Sequence, residues 1–416
     1  MATTRSNPSS SAGSQSYLIP FIIVTVLFGA FGFLTNLNSN LSPKLEDIFN
    51  LDHAWSNLVA TSWFFAYLVF SVPAARLIQA VGYKRTMVIS LFVMTAGALL
   101  FVPAANLVSF PLFLTASFVL ATGVCGLQTS ANPYVSILGP EHSAPARLTL
   151  SQAFNSVGAA LAPIVVVHFI LTNSSKTDTQ ASVAHTVEGP YLAIAAALFV
   201  LGVAILFMHL PAITSAGDSQ AATIAAPGRS IWTYKHTVLA MMGIFFYVGV
   251  EIALAASAIK FFNSQGVTAA NTVELMAALY FLLIGAGRFV GTILMKWIEA
   301  STLLAILGFC GIALLFMAMF SSGAVAAWSL VFCGLANSIM YPTIFALGIA
   351  ELGPRTSEAS GVITIGNVGG AVIPLLFGAL ADRYGYQHAF ILPILCYIFI
   401  AYFGLSGYRP QRPAGA

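Results

Sequence analysis

The chain has 416 residues, of which 58% are hydrophobic and only 7% charged. A soluble domain carries about 25% charged residues, so the composition excludes a soluble protein and points to one that crosses a bilayer many times. The net charge of +3 reflects a bias among the loops and offers no basic face for nucleic acid. The expected partners are membrane lipid and a small molecule, with no nucleic acid.

A helix crosses a bilayer with roughly 20 apolar residues. Runs of that length predict twelve helices, near 17–41, 55–79, 84–104, 107–139, 148–172, 189–210, 237–262, 272–298, 301–322, 324–352, 358–381 and 388–408. The Ser-rich tail 1–16 reads as cytoplasmic. A cleaved signal peptide is disfavoured there, because the first apolar run is too long and no small-residue cleavage site precedes a mature domain. With the N-terminus inside, Arg5, Arg76, Lys84, Arg85, Arg147, Arg229, Lys235, Lys296, Arg355, Arg409 and Arg412 fall on the cytoplasmic side, and Lys44, Lys176, Lys260 and Arg383 on the other. Eleven against four places both termini in the cytoplasm of a multi-pass plasma (inner) membrane protein. The four cysteines all fall inside predicted spans, and no His/Cys/carboxylate spacing suggests a metal, a cofactor or an enzyme.

The segment 211–236 is the only long polar break on the inner side, and its Ala/Ser/Gly-rich composition reads as a linker. It separates bundles at 17–210 and 237–408, with a short tail at 409–416. The two halves repeat each other at an offset of about 210 residues. Arg76 in PAARL answers to Arg288 in GAGRF. Pro133 is expected to break the fourth helix and Pro342 the tenth. Asn155, Gly158 and Pro163 recur as Asn367, Gly369 and Pro374. A parallel repeat of this kind places a substrate site between the halves near mid-membrane. The fold class is therefore an all-α polytopic protein, with twelve transmembrane helices in two pseudo-symmetric six-helix bundles.

The polar candidates cluster in the stretch 123–163. Gln128 and Asn132 are four residues apart on the fourth helix, and Gln152 and Asn155 three apart on the fifth, so each pair shares a helix face. A single buried amide is as readily helix–helix glue as ligand contact. Two pairs on consecutive helices favour a cavity for a polyhydroxylated ligand. Asn36 and Asn38 in the first helix add amides, and Tyr247 an aromatic face. Glu251 stands mid-helix in FFYVGVEIALAAS, where an isolated carboxylate costs at least about 3 kcal/mol. It must face a cavity, pair with a cation or be protonated. Arg288 and Arg76 are candidate gate residues, Arg288 through carbonyls or a carboxylate at the inner gate.

The strings GLQTSANPYVSILGP and ARLTLSQAFNSVGA, with YVGVEIALAAS in the seventh helix, resemble the fucose:proton symporter family of the major facilitator superfamily, and its glucose/galactose branch in particular. The resemblance implies monosaccharide transport by alternating access, with Asn155 on the family's fifth-helix sugar-binding Asn. It also implies proton-coupling acids in the first and fourth helices, but these positions hold Ser39 and Gln128 here, which do not titrate. Transport is accordingly expected to be facilitative or weakly proton-coupled. The alternatives are proton- or cation-coupled symport through Glu251, and a sugar sensor that does not transport. A GALADRYG string at 378–385 resembles the superfamily's gating-loop signature, but helix parity puts it on the outer side. The expected inner position, after the second helix, carries Gln79 in place of an Asp. A monomer is expected.

Overall fold

The computed structural model describes residues 17–48, 53–169, 180–211 and 229–410, with side chains from 17–36, 61–163, 188–211 and 229–410. Among the described residues all regular structure is helical. The first half holds α1 (Leu18–Ile48), α2 (His53–Val81), α3 (Tyr83–Asn106), α4 (Phe110–Ile137), α5 (Ala144–Phe169) and α6 (Gln180–Phe207). The second holds α7 (Lys235–Ser264), α8 (Ala270–Leu294) and α9 (Ala300–Phe320), followed by three crossings made of two pieces each. These are α10 (Gly323–Asn337) with α11 (Met340–Gly348), α12 (Thr356–Ile365) with α13 (Gly369–Tyr384), and α14 (Tyr386–Ala389) with α15 (Ile391–Tyr402). Eleven of the twelve crossings are long and apolar enough to span a membrane among the described residues, and α5 is the twelfth. The linker 212–228 and the tails 1–16 and 411–416 lie outside the described residues.

Glycine sets the closest helix approaches, and it does so twice in related places. A Cβ on Gly158 of α5 would stand 2.0 Å from the Gly29 carbonyl oxygen of α1, and one on Gly32 would stand 2.1 Å from the Asn155 carbonyl oxygen. In the second half a Cβ on Gly369 of α13 would stand 1.8 Å from the Phe245 carbonyl oxygen of α7. Backbones this close exclude any side chain at these positions. The Thr25 and Ser151 hydroxyls, 3.0 Å apart, add a polar contact to the α1–α5 seam.

Proline acts differently in the two halves. Pro342 cannot donate to the carbonyl four residues back, and the tenth crossing breaks at Ser338–Ile339 as expected. The expected break at Pro133 does not occur, because α4 runs unbroken from Phe110 to Ile137. Its freed carbonyl, on Thr129, accepts the Ser360 hydroxyl of α12 at 2.6 Å. A partner from a neighbouring helix makes the proline tolerable at this depth. The eleventh crossing breaks at Gly366–Val368, a short 3₁₀ turn that holds Asn367. Where α4 ends, Arg147 of α5 reaches back, with Nε 3.3 Å from the Val135 carbonyl oxygen and Nη1 2.8 Å from that of Pro140. It thereby occupies the Val135 carbonyl in the last turn of the helix and ties it to the loop that follows.

The halves meet at the end of the molecule formed by the α4–α5 and α11–α12 connections, called here the turn end. There α12 packs on α2 and α4, and α5 on α8 and α11. A Cβ on Gly361 would stand 2.6 Å from Ala75 Cβ and 2.8 Å from the Ser71 carbonyl oxygen. The Glu351 backbone N–H, in a residue held at φ 57°, donates to Glu141 Oε1 of the other half at 2.9 Å. Helices α1 and α7 share no contact of comparable extent among the described residues. The two halves thus close on each other at the turn end.

Gly158→Leu should separate α1 from α5, since overpacking costs about 1–3 kcal/mol or more where neither backbone can retreat. A melting temperature well below wild type, read by tryptophan fluorescence of the purified protein, is the expected result. Gly378→Ala, at a glycine with open space beside it, should leave it unchanged.

Candidate functional site

The seam between the halves collects polar side chains from both. From α4, Gln128 is half-buried, and its Oε1 accepts a long bond of 3.3 Å from the Tyr67 hydroxyl of α2. Asn132, one turn on, is fully buried, and its Oδ1 accepts Gln152 Nε2 of α5 at 3.4 Å. Asn155 turns its amide towards α1, where Nδ2 donates to the Phe28 carbonyl at 3.1 Å. Asn36, half-buried one turn above Gly32, donates to that residue's carbonyl at 3.1 Å. The side chain of Asn38 lies outside the described residues. A small recess lined by Leu27, Phe28, Phe31, Leu127, Gln128 and Ala131 opens beside Gln128.

The second half contributes Tyr247 and Glu251 from α7, Arg288 from α8, Tyr341 from α11 and Asn367 from the break in the eleventh crossing. The Tyr247 and Tyr341 rings meet edge to face at 6.1 Å. The Tyr341 hydroxyl lies beside the amides of Asn367 and Asn132, which brings the halves together around it. Asn367 is buried and donates to the Thr364 carbonyl at 2.8 Å. Arg288 donates Nε to the Ser338 carbonyl at 3.2 Å, and Nη1 to the Gln152 carbonyl at 3.0 Å and the Ser156 hydroxyl at 2.5 Å. It therefore caps the carbonyl that Pro342 frees and crosses to the other half in the same gesture. The expected symmetry with Arg76 is absent, because Arg76 is exposed on α2 while Arg288 is buried at the seam.

Three buried polar atoms at this seam make no well-formed hydrogen bond, Asn132 Nδ2, the Tyr247 hydroxyl and the Tyr341 hydroxyl, although the Tyr247 hydroxyl lies within reach of Glu251 and Arg288 and that of Tyr341 within reach of Asn132 and Asn367. An orphaned buried donor costs about 1–3 kcal/mol. Folds retain such groups where water or a ligand pairs them. The atoms come from α4, α7 and α11, so a molecule that satisfied all three would touch both halves.

Sequence reasoning passed over Asn337 and Tyr341. Gln128, Asn132 and Pro133 recur 209 positions later as Asn337, Tyr341 and Pro342, so the repeat itself was the signal. The two amides have opposite fates. Gln128 accepts one weak bond, whereas Asn337 is fully buried and used on both sides. Its Nδ2 donates to the Tyr280 hydroxyl at 2.9 Å, and its Oδ1 accepts the Tyr397 hydroxyl at 2.7 Å. Tyr280 is consumed in this network, and its hydroxyl continues to the Glu251 backbone carbonyl at 3.4 Å. Among the described residues no group of His, Cys, Asp and Glu side chains is placed to hold a metal ion.

The family model described as Major Facilitator Superfamily matches residues 22–374. A glucose/galactose transporter of Brucella abortus is 40% identical over 399 residues, covering 95% of this chain and 96% of the relative. The L-fucose-proton symporter of Escherichia coli is 32% identical, covering 94% of this chain and 93% of its own. Among solved structures, the major facilitator transporter FucP in the outward conformation superposes with a TM-score of 0.85 at 30% identity, over 94% of this chain and 99% of that one.

Asn337→Leu, which keeps the volume but removes both polar ends, leaves the Tyr397 hydroxyl buried and unpaired and the Tyr280 hydroxyl with only its long bond to the Glu251 carbonyl. At about 1–3 kcal/mol for each, the purified variant should melt well below wild type. The added change Tyr280→Phe should recover part of the loss, and no recovery would mean that the network carries no such energy.

Proposed function

The chain belongs to the major facilitator superfamily, and we propose that it carries a monosaccharide of the glucose/galactose or fucose kind across the plasma (inner) membrane by alternating access. The observation that carries this reading is the set of buried donors with no well-formed hydrogen bond, Asn132 Nδ2, Tyr247 OH and Tyr341 OH, supplied by both halves at their seam. A sugar ring offers hydroxyls on several sides, and each can pair with an amide or a phenol. Relatives named as glucose/galactose transporter and L-fucose-proton symporter support the same class of substrate. Gln128, Asn132, Gln152, Asn155, Asn36 and Asn38 serve as the first half's ligand groups, and Tyr247, Glu251 and Asn367 as those of the second. Bundles 17–210 and 237–408 move about the linker 211–236, with lipid as the solvent and a single chain as the unit.

The excess of basic residues makes the turn end cytoplasmic, with both termini on that side. Arg147, Arg229 and Arg355 lie there. Closure at that end then makes this the outward-facing form, in keeping with the outward conformation of the related solved structure. Arg288 holds the inner gate shut at the seam, and Arg76 acts at its rim. With Ser39 and Gln128 where the family has acids, the first half offers no coupling carboxylate. Transport is downhill or only weakly proton-coupled. Glu251, a carboxylate in no ion pair among the described residues, favours symport through that residue as the second reading.

Two measurements test this. Gln128→Ala and Asn155→Ala should each weaken monosaccharide binding in calorimetry by about ten- to a hundredfold, the worth of one buried hydrogen bond left unmade. Unchanged affinity in both would remove them from the site. Gly361→Leu should block closure of α12 on α2 and abolish counterflow of labelled sugar in proteoliposomes while the protein still folds. Full counterflow in that variant would refute closure at the turn end as a step in transport.

A further inference from the structure

The second half sets two charged side chains deep in the molecule and gives them unequal company. Arg288 is engaged three times, and two of its partners, the Gln152 carbonyl and the Ser156 hydroxyl, belong to the first half. Helix contact at this point is tight, since a Cβ on Gly285 of α8 would stand 3.1 Å from Ser156 Cβ. Glu251 is half-buried, and its carboxylate joins no ion pair among the described residues. The groups that face it are Tyr247 on its own helix, Arg288 and Tyr280 on α8, and Tyr341 on α11. Cys333 of α10 and Tyr397 of α15 stand behind Tyr280. Arg288 is the one cation in this set, and the Tyr247 hydroxyl lies between the two charges, within reach of each.

We propose that Arg288 exchanges partners during transport. With the turn end closed it fastens α8 to α5, and with that end open it pairs with Glu251, so that a proton on Glu251 and closure of the turn end favour each other. The inference rests on the alternating-access reading and supplies its coupling. When the halves part at the turn end, Arg288 loses Gln152 and Ser156 together, because both move with α5. A guanidinium left with the Ser338 carbonyl alone at membrane depth is disfavoured. The facing anion is Glu251, and a carboxylate pairs with a guanidinium when ionised. The proton on Glu251 therefore leaves to water at the open turn end. In the closed form Arg288 is committed elsewhere, and the carboxylate takes a proton from water on the opposite side. One proton enters and one leaves, and no other group changes. Because linkage is reciprocal, loss of the proton must favour opening of the turn end by the same factor as opening favours loss of the proton.

This coupling needs no acid at Ser39 or Gln128. It also makes Arg288 a positioning residue for the charge on Glu251, in addition to a gate. The measurement is the distance between spin labels at His142→Cys and Pro354→Cys, exposed positions on the two turn-end connections, in full-length protein in nanodiscs. Cys310, the one exposed cysteine among the four, is first replaced by Ser. Between about pH 5 and about pH 8 the ratio of separated to closed populations should rise by about tenfold or more. Glu251→Gln should remain closed at every pH. Arg288→Gln should lose the pH response, and Arg288→Lys, which keeps the cation, should retain it. A constant ratio in the wild type, or a pH response that survives in Glu251→Gln, would overturn the proposal. The latter outcome would move the response to another group such as Glu141 at the turn end. Counterflow of labelled glucose in the same preparations separates the two readings: counterflow without a pH response refutes the partner exchange and leaves transport standing.

Discussion

In hydrocarbon every backbone carbonyl needs a donor, and the prolines at the seam of this molecule create carbonyls that their own helices cannot satisfy. Pro133 frees Thr129, and Pro342 frees Ser338. The first is answered by the Ser360 hydroxyl of the opposite half and the second by Arg288, which also reaches into the opposite half. The same unmet demand therefore caps the freed carbonyl of α4, caps the break in the tenth crossing and helps to join the two halves at the turn end. Because the donors are side chains on the other half or tied to it, closure and helix integrity are the same set of bonds. Separating the halves must supply these carbonyls with new partners, and water entering the opened seam is the available source.

Exact repetition would have given two equivalent ligand sites, and the structure departs from it where the amides stand. Gln128 is left nearly free while its counterpart Asn337 is closed in by two tyrosine hydroxyls. Asn132 keeps a donor with no well-formed hydrogen bond, and its counterpart is Tyr341, whose hydroxyl lies within reach of Asn132 itself and of Asn367. The open polar groups of the two halves thus converge on one place. The buried network of Tyr280, Asn337 and Tyr397 ties α8, α10 and α15 together, and it reaches the backbone at Glu251.

Much of this was legible in the chain before any coordinates. Twelve apolar runs, a polar linker and the offset between halves fixed the number of crossings and their pairing, because bilayer thickness dictates helix length and a repeat preserves register. The helical spacing of Gln128 with Asn132 and of Gln152 with Asn155 showed which amides share a face, because helical periodicity is local. Glu251 stood out because an isolated carboxylate in an apolar run is costly wherever that run is packed.

What the sequence left open were the choices made by neighbours distant in the chain. The proline rule is the same for Pro133 and Pro342, yet one helix continues and the other breaks. Arg76 and Arg288 occupy matched places, yet one faces outward and the other is buried against a carbonyl 136 residues away. Gln128 and Asn337 are matched amides, yet only the second meets two tyrosines. A sequence determines which groups require partners; which group supplies each one depends on how helices far apart in the chain are brought within about 3 Å, the range of a hydrogen bond.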